Sequence, residues 1–329
     1  MQQAIVTGAG GFTGSNLCRN LVLHGYRVKA MVRPGASTER LEGLDVQIVR
    51  GDIGQDEAIN LADFENVDTV FHIAAMYRQE GANREAFHNI NVNGTRRILE
   101  KATTAGVKRF VHCSTAGVHG WIDPDAPAKE NAPFRPGDWY QETKLEGENL
   151  VLHWGQTHDL PVTIIRPTAI CGPGDTRFLK LFRAIHRHRF VMIGKGNHHY
   201  HFVHVDDLAQ GFIQAAENKN AEGQIFILAG PESISLNRMV ENICQILDAP
   251  QPRLHIPVLP VKIAAYLCDR ICKRMGITPP LYPRRVDFFT KHRAYDDSKA
   301  RELIGYIPHI TPFEALSQMG TWYREHNLL

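Results

Sequence analysis

The sequence lacks an excess of charge of either sign, a long apolar run and any closely spaced cysteine pair of the CxxC type. Its 37 lysines and arginines against 35 aspartates and glutamates leave a formal net charge of +2. That balance gives no footprint of a nucleic-acid-binding protein, and from it we expect no polybasic membrane patch. Because no stretch of about 18 uncharged apolar residues occurs, we expect no integral membrane segment.

The six cysteines fit a reducing compartment, and we expect a cytoplasmic protein. Cys268 and Cys272 lie four residues apart in a helical stretch, and we interpret them as a buried apolar pair. The start MQQAIVTGAGG has the pattern of a strand and a glycine turn, not of a signal peptide. We predict no metal site, because the clustered histidines would alternate between two faces of a strand without an accompanying carboxylate pattern. These histidines are His198, His199, His201 and His204.

Hydrophobic residues, at 43% of the 329, are numerous enough for a substantial core. Through the first half, apolar strands alternate with amphipathic helices, which predicts an α/β fold: a Rossmann-type doubly wound parallel sheet with helices on both faces. The predicted strands are Ala4–Thr7, Arg27–Val32, Val46–Arg50, Thr69–Ile73, Phe110–Ser114 and Val162–Arg166. The predicted helices include Ser15–His24, Val92–Ala105 and Gln141–His158.

The second half is less regular and has no clear linker. Its predicted elements are the helices Arg177–His188 and Val261–Met275, a helix capped by Ser235 that runs through Leu247, the apolar run Ile225–Ala229 and the turn-rich stretch Thr278–Arg285. We assign residues 1–170 to the Rossmann domain, with segments about 200–230 returning to it. Residues 171–329 then form mainly a smaller substrate-binding region.

A glycine turn follows the first predicted strand and opens the first helix. Its spacing is Gly8-x-x-Gly11-x-x-Gly14, with Phe12 and Thr13 between the last two glycines. The first glycine permits a tight turn, the second lets a pyrophosphate approach the positive helix end, and the third lets the helix pack on the strand. In this strand–turn–helix context the motif predicts a dinucleotide site.

The end of the second strand indicates which cofactor binds there. Neutral Val32 stands where an acidic residue would accept hydrogen bonds from a ribose 2′-hydroxyl, and Arg33 follows. Because a guanidinium suits a 2′-phosphate, we favour NADP(H) over NAD(H). Asp52, through its side chain, and Ile53 are placed to contact adenine. The further candidate cofactor residues are Ala74, Ala75, Pro167 and Thr168.

Tyr140 and Lys144, four residues apart, share one face of a predicted helix. A free tyrosine has a pKa of about 10, and a neighbouring ammonium favours the phenolate, so we expect Lys144 to lower the pKa of Tyr140. Such a tyrosine can exchange a proton with a carbinol oxygen while hydride moves to or from nicotinamide. Ser114 and Thr115 place hydroxyls upstream, at the carboxyl end of the fifth strand, where ligands of such sheets bind.

Together these motifs resemble the extended short-chain dehydrogenase/reductase family, which includes nucleotide-sugar epimerases, dihydroflavonol reductases and 3β-hydroxysteroid dehydrogenases. The resemblance covers nearly the whole chain. It is carried by the glycine turn, Asn91 to Thr95, Cys113 to Gly120, Tyr140 to Lys144, Arg166-Pro167 and His204 to Leu208.

The resemblance implies a catalytic Ser/Thr–Tyr–Lys triad. By position, Thr115 matches the hydroxyl that holds the substrate oxygen, with Ser114 as the second candidate, and Tyr140 matches the acid/base. Lys144 matches the residue that lowers the tyrosine pKa and binds the nicotinamide ribose. Asn91 matches an asparagine in the helix behind the site. The Asn91 and Tyr140 helices form the dimer's four-helix bundle in many relatives, so a homodimer is implied.

Two departures from the family's patterns bear on the reaction. Ala116 and Gly117 stand where family dehydratases carry an Asp-Glu pair, so dehydration is not predicted. Tyr200 replaces an arginine that grips the diphosphate in many nucleotide-sugar epimerases, and Arg293 is the remaining phosphate-binding candidate. We add Tyr200, Arg293 and Tyr77 to Ser114 and Thr115 as candidate substrate-binding residues.

The segment from Ile256 to Leu281 contains an apolar run that resembles the C-terminal lid of steroid-dehydrogenase-like members; the alternative is plain core packing. If exposed near the site, it favours an apolar, lipid-like ketone or alcohol as the small-molecule substrate. We therefore predict an NADP(H)-dependent oxidoreductase of a secondary alcohol or ketone. The alternatives are a nucleotide-diphospho-sugar epimerase with bound NAD(P) and a non-catalytic dinucleotide sensor.

Overall fold

The computed structural model describes residues 1–77, 79, 81–123, 126–277, 279–281 and 283–329. The strands are β1 (Gln3–Thr7), β2 (Arg27–Val32), β3 (Val46–Arg50), β4 (Thr69–His72), β5 (Arg109–Cys113), β6 (Val162–Pro167), β7 (Ala169–Cys171), β8 (Met192–Ile193), β9 (His199–His204), β10 (Ile225–Leu228), β11 (Ser233–Ser235) and β12 (His255–Ile256). The α-helices are α1 (Phe12–Leu23), α2 (Arg84–His88), α3 (Gly94–Thr104), α4 (Trp139–Thr157), α5 (Leu179–His186), α6 (Val205–Glu217), α7 (Leu236–Leu247), α8 (Val258–Arg274), α9 (Pro283–Thr290), α10 (Ser298–Ile304) and α11 (Pro312–Glu325).

Seven strands form one parallel sheet in the order β10-β6-β5-β4-β1-β2-β3, which confirms the predicted Rossmann-type architecture. The strand order reverses between β1 and β4, whose carboxyl ends lie side by side with Thr7 opposite His72. In open α/β sheets the crevice at such a reversal binds ligands. The fold therefore places the glycine turn, which follows β1, at this crevice.

Alternating side chains of the strands supply two hydrophobic cores, one on each face of the sheet. On one face Val6 packs with apolar residues of α1, α6 and α10. On the other face Ile5 packs with residues of α3 and α4. Nearly continuous apolar strands are needed because both faces are covered by helices.

The second half of the chain divides between this sheet and a smaller layer. β10 and α6 return to the large sheet, where α6 packs against α1. A three-stranded sheet of β7, β9 and β11 packs with α5, α7 and α11 around a third core. Of the segment 200–230, β9 thus belongs to the smaller layer. The boundary at residue 170 stays a prediction.

The region around α8 differs most from expectation. The predicted burial of the cysteine pair is wrong: Cys268 and Cys272 are half-buried, with their Sγ atoms 3.9 Å apart, because α8 packs through a narrow face. Of the predicted turn 278–285, Thr278 and Tyr282 lie outside the described residues, and α9 begins at Pro283. Within the described ranges, each helix is too short or too polar to cross a bilayer.

Candidate active site

The glycine turn between β1 and α1 is held in a shape that a side chain would disrupt. Gly8 has a φ of +70°, and a Cβ there would lie 2.9 Å from the Ala74 backbone. A Cβ on Gly14 would collide with the Gly8 carbonyl oxygen. A Cβ on Gly11 would approach the Gly8 oxygen to 3.3 Å and meet nothing else within 4 Å. Gly8 and Gly14 thus bring strand and helix together, whereas Gly11 keeps the outer side of the turn open.

The first turn of α1 suits an anionic ligand. Gly11 is its N-cap, provides no side-chain cap, and no acidic residue follows in the first turn. The N–H groups of a first helical turn have no partners within the helix, and the helix dipole adds positive charge there. The open cradle and the uncapped helix fit the pyrophosphate of a dinucleotide, which Phe12, Thr13 and Gly14 would hold with their backbone.

A buried polar network fixes the turn to the rest of the site. The Thr7 hydroxyl accepts hydrogen bonds from the N–H groups of Ile73 and Ala74 and donates to His72 Nδ1 at 2.8 Å. His72 Nε2 donates to the Thr95 hydroxyl, which itself donates to the Asn91 carbonyl. Burial lowers the pKa of His72 to about 3, so the ring is neutral at working pH. The network joins the crevice to the helix that carries Asn91.

Asn91 lies in a π-helical turn, Asn89–Asn93, between α2 and α3. Such turns occur frequently at functional sites. The Asn91 amide accepts from the Met76 N–H at 2.8 Å and donates to the Thr143 hydroxyl at 2.9 Å. Gly147 permits this close approach, because a Cβ there would lie 2.6 Å from the Asn91 carbonyl oxygen. Asn91 thus ties the segment before Tyr77 to α4.

The structure brings Thr115, Tyr140 and Lys144 to the carboxyl end of β5. The Thr115 and Tyr140 hydroxyls share a hydrogen bond, and the Thr115 oxygen also accepts from the Gly117 N–H at 3.1 Å. The ring of Tyr77 meets the Tyr140 ring edge-on, with centroids 4.9 Å apart. Lys144, only 1% exposed, donates from Nζ to His112 Nε2 at 3.4 Å.

The electrostatics of this group differ from the sequence prediction. Burial raises the pKa of Tyr140, and the hydrogen bond to Thr115 and the charge of Arg177 oppose that shift only in part. Burial likewise lowers the pKa of Lys144 to about 8. The expected lowering of the Tyr140 pKa by Lys144 is therefore not seen. Desolvation disfavours the charged form of both groups, the ammonium of Lys144 and the phenolate of Tyr140. Tyr140 is a neutral phenol at working pH.

Comparison with protein-family models decides the family. Residues 4–229 match the model of the NAD dependent epimerase/dehydratase family. The chain belongs to this family. The resemblance to extended short-chain dehydrogenases/reductases is thereby confirmed, and the protein is an enzyme of an NAD-dependent family.

Relatives of this epimerase/dehydratase member include steroid- and sterol-related proteins. Sterol demethylase protein B of Methylococcus capsulatus is 30% identical, with 99% of each chain covered. The 3 beta-hydroxysteroid dehydrogenase/Delta 5-->4-isomerase of Mycobacterium tuberculosis is 30% identical over 98% of this chain and 90% of its own. Among solved structures, the crystal structure of gox2253 has a TM-score of 0.85 at 26% identity, with both chains fully covered. MoeE5 in complex with UDP-glucuronic acid and NAD shares the fold, with a TM-score of 0.77 at 24% identity, 98% of this chain and 99% of its own being covered.

In this family member the remaining cofactor candidates line the same sheet edge. Arg33 is exposed directly after β2. Asp52 accepts from the Gly54 N–H with one carboxylate oxygen, and Ile53 packs beneath it in the core. Pro167 ends β6, and the hydroxyls of Thr168 and Ser114 are buried without a hydrogen-bond partner among the described residues. Unpartnered polar atoms at a ligand crevice are consistent with contacts that a bound ligand completes.

Tyr200 is wrongly predicted as a substrate contact. It is 4% exposed in the core of the smaller layer, and its hydroxyl donates to the Phe288 carbonyl. Its position on β9 faces a hydrophobic cluster, a burial that residue type alone does not reveal. Arg293 lies with its Cζ atom 5.0 Å from the Tyr200 ring centroid and donates to the carbonyls of Lys291 and Asp287.

Sequence reasoning missed Arg177 and His112. The Arg177 guanidinium is held by Asp175 at 2.8 and 2.9 Å and hydrogen-bonds to Tyr77, so its charge lies beside the two tyrosines. The Asp-x-Arg spacing after the Gly172-Pro173-Gly174 turn is a signal that could have identified it. His112 is the hydrogen-bond partner of Lys144. Its place in β5, two residues before Ser114, was the only signal in the sequence for this contact.

Proposed function

We propose that the protein is an NADP(H)-dependent oxidoreductase that interconverts a secondary alcohol and a ketone on an apolar, sterol-like substrate. The proposal rests mainly on the hydrogen-bonded pair of Thr115 and Tyr140, which lies at the carboxyl end of the parallel strands with Lys144 buried beside it. A non-catalytic dinucleotide sensor would have no need to keep an ammonium buried at this point, since burial of a charge destabilises the fold.

The geometry supports ketone reduction in the following way. Thr115 holds the substrate oxygen, and Tyr140, a neutral phenol, donates its proton to that oxygen as negative charge develops. When bound, the nicotinamide supplies the hydride. Lys144 stabilises the tyrosinate that remains, and in the reverse direction the same tyrosine accepts the carbinol proton. Asn91 holds the segment that contains Met76 and Tyr77 against α4. It thereby positions the ring of Tyr77, which forms the wall of the site beside Tyr140.

Three observations support the substrate class and the type of reaction. The relatives named above carry sterol and steroid activities in their names. Ala116 and Gly117 offer no acid or base for elimination. Finally, the guanidinium of Arg293 is partly used on backbone carbonyls, which leaves fewer of its donors for a diphosphate.

The decisive experiment is cofactor turnover. Purified protein is mixed with NADPH or NADH and a panel of apolar ketones that includes 3-oxosteroids, and the loss of absorbance of the reduced cofactor is followed. The proposal expects net oxidation of the cofactor with at least one ketone. Interconversion of UDP-sugars without net cofactor consumption would instead establish the epimerase alternative, and binding without either reaction would establish a sensor.

The NADP preference predicts a selective effect of Arg33→Ala. Because a guanidinium forms a charge-assisted hydrogen bond to a 2′-phosphate, the variant should bind NADPH about tenfold or more weakly, with NADH little changed. Arg50 supports this site, since its Nη1 donates to the carbonyls of Arg33 and Ala36. Calorimetric titration of both cofactors provides the measurement. Arg27→Ala, at the opposite end of β2, is the control, and equal wild-type affinity for both cofactors contradicts the preference.

The epimerase alternative predicts nucleotide binding through Arg293. The solved structures that share this fold with UDP-sugars bound motivate the test. With NADP present to fill the cofactor site, UDP should give no thermal stabilisation if our first choice is right. If UDP raises the Tm of the wild type and Arg293→Ala abolishes that shift, the epimerase reading replaces ours. The shift caused by UDP is compared within each variant, because loss of packing on Tyr200 lowers the Tm by itself.

Two further expectations remain proposals. The resemblance supports a homodimer through the α3 and α4 faces, and light scattering of the purified protein measures its mass directly. The cysteine usage supports a cytoplasmic location.

A further inference from the structure

Helix α8 presents an apolar face to solvent. Its exposed apolar residues recur every three or four positions, the spacing of one helical face. Five of them are between 51% and 68% exposed: Leu259, Ile263, Tyr266, Leu267 and Ile271. Met275, which follows the helix directly, is 66% exposed. The same helix contributes Ala265 to its buried side. Single exposed apolar residues are ordinary on protein surfaces, but a contiguous stripe marks an interaction site.

Basic side chains lie within and beside this stripe. Lys262, Arg270 and Arg274 are exposed, while Asp269 is half-buried and engaged in an interaction of its own. The Arg270 guanidinium donates to the Tyr266 hydroxyl at 3.3 Å. A surface pocket of about 330 Å³ lies between Tyr266, Asp269, Arg270 and Arg274. Since the whole chain has a net charge of only +2, this face is locally more basic than the protein as a whole.

We propose that α8 docks onto an anionic lipid surface, with its apolar side chains inserted among the acyl chains and its basic groups at the headgroups. Apolar residues combined with arginine and lysine are typical of helices that lie in the plane of a bilayer interface. Long basic side chains can cross the apolar boundary and keep their charges at the headgroup level.

Charge disfavours a second copy of the chain as the occupant. A symmetric dimer contact is self-complementary, so it would bring Arg270 and Arg274 of one copy close to the same basic face of the other. Like charges brought together in this way repel, whereas phosphatidylserine headgroups attract them. Of the possible occupants, the anionic bilayer is therefore the one that complements both the apolar and the basic groups.

The position of α8 connects this surface to the candidate active site. Burial lowers the pKa of His198, and the charges of Arg293 and of Lys262 on α8 act in the same direction, so both cations face His198. α8 packs against α9, and Lys291, just after α9, reaches to 3.6 Å from the point where a Cβ on Gly137 would lie. Gly137 precedes Tyr140 by three residues. A docked α8 would thus hold the substrate side of the protein near the membrane, a consequence that rests on the proposed function.

Vesicle co-sedimentation of the full chain tests the docking independently of catalysis. Vesicles of phosphatidylcholine alone are compared with vesicles of phosphatidylcholine mixed with phosphatidylserine. The wild type should bind the anionic vesicles, more weakly at high salt. The variants Ile263→Glu/Leu267→Glu and Arg270→Glu/Arg274→Glu should each bind about tenfold or more weakly. Because these side chains are exposed, the variants should fold, which the Tm confirms.

The matched control is Leu23→Glu/Ile307→Glu, which places two acidic residues at exposed apolar positions outside α8. This variant should bind vesicles as the wild type does. Failure of the wild type to bind, equal binding to neutral vesicles, or equal loss in the control overturns the proposal. Self-association in solution that the α8 variants abolish, without vesicle binding, also overturns it and identifies a second copy as the occupant. Failure of the proposed function would appear only in the turnover assay.

Discussion

Replacing Tyr140 with phenylalanine is expected to lower kcat by about 10²- to 10⁴-fold, the usual contribution of a general acid or base. The change removes the hydroxyl that Thr115 contacts but keeps the ring that packs edge-on against Tyr77. The wall of the site and the fold should therefore be preserved. Cofactor affinity, measured by fluorescence titration, should change little, because Tyr140 acts on the substrate oxygen.

The matched control for this prediction is Tyr26→Phe. Tyr26 is a buried tyrosine, and its hydroxyl donates to Glu217 at 2.7 Å on the opposite side of the large sheet from α3 and α4. Its loss should lower stability and leave kcat unchanged. If Tyr140→Phe turns over within a few-fold of the wild type while Tyr26→Phe behaves as expected, Tyr140 is not the acid/base.

Lys144→Met is expected to abolish turnover and, at the same time, to stabilise the cofactor-free protein. Burial lowers the pKa of Lys144 from 10.5 to about 8, so at neutral pH the fold holds a charge that it disfavours. At 1.36 kcal/mol per pKa unit this costs about 3 kcal/mol. The lost hydrogen bond to His112 offsets part of the gain. We expect the free energy of unfolding at pH 7 to rise by roughly 1–3 kcal/mol.

The lowered pKa of Lys144 also fixes how the stability of the protein depends on pH. The folded-state pKa of Lys144 lies below the unfolded one, so the unfolded chain binds more protons between these values. The wild type should therefore gain stability as the pH rises from 8 towards 10.5, and the advantage of Lys144→Met should disappear over the same range. Denaturant unfolding at several pH values measures this.

Lys29→Met serves as the opposite case. Lys29 is also buried, but its Nζ donates to the carbonyls of Asp63 and Glu65 at 2.8 and 3.1 Å. Its removal leaves both acceptors without a donor and should destabilise the protein. If Lys144→Met loses stability to the same extent at pH 7, the ammonium of Lys144 stabilises the fold. The prediction that its charge lowers the free energy of unfolding is then wrong.

Features formed by residues that are close together in the sequence could be predicted from it. The glycine turn requires only a strand, a tight turn and a helix in succession, and all three lie within the first 23 residues. The pairing of Tyr140 and Lys144 requires only four residues of helix. The central strands were predictable because parallel strands buried on both faces are continuously apolar.

Features that depend on distant parts of the chain were not predictable in this way. Arg177 hydrogen-bonds to Tyr77, which is 100 positions away in the sequence. Lys144 on α4 donates to His112 on β5. Tyr200 has the residue type of a substrate contact, yet the packing of Phe288 against it places it in a core. The exposure of α8 also could not be read from its apolar pattern, since a buried helix and a membrane-surface helix share that pattern.

The sequence by itself determined the doubly wound sheet, the glycine turn and the pairing of Tyr140 with Lys144, because each follows from residue spacing within one or two neighbouring elements. The choice of Thr115 over Ser114 as the hydroxyl is what the family resemblance implies, and it stays a prediction. Only the tertiary structure decided that Tyr140 is held as a neutral phenol, that Lys144 carries its charge at a cost, and that α8 faces solvent. The reason is that desolvation depends on all the residues packed around a group. Many of these residues are distant in the sequence, so the sequence does not show which of them surround it.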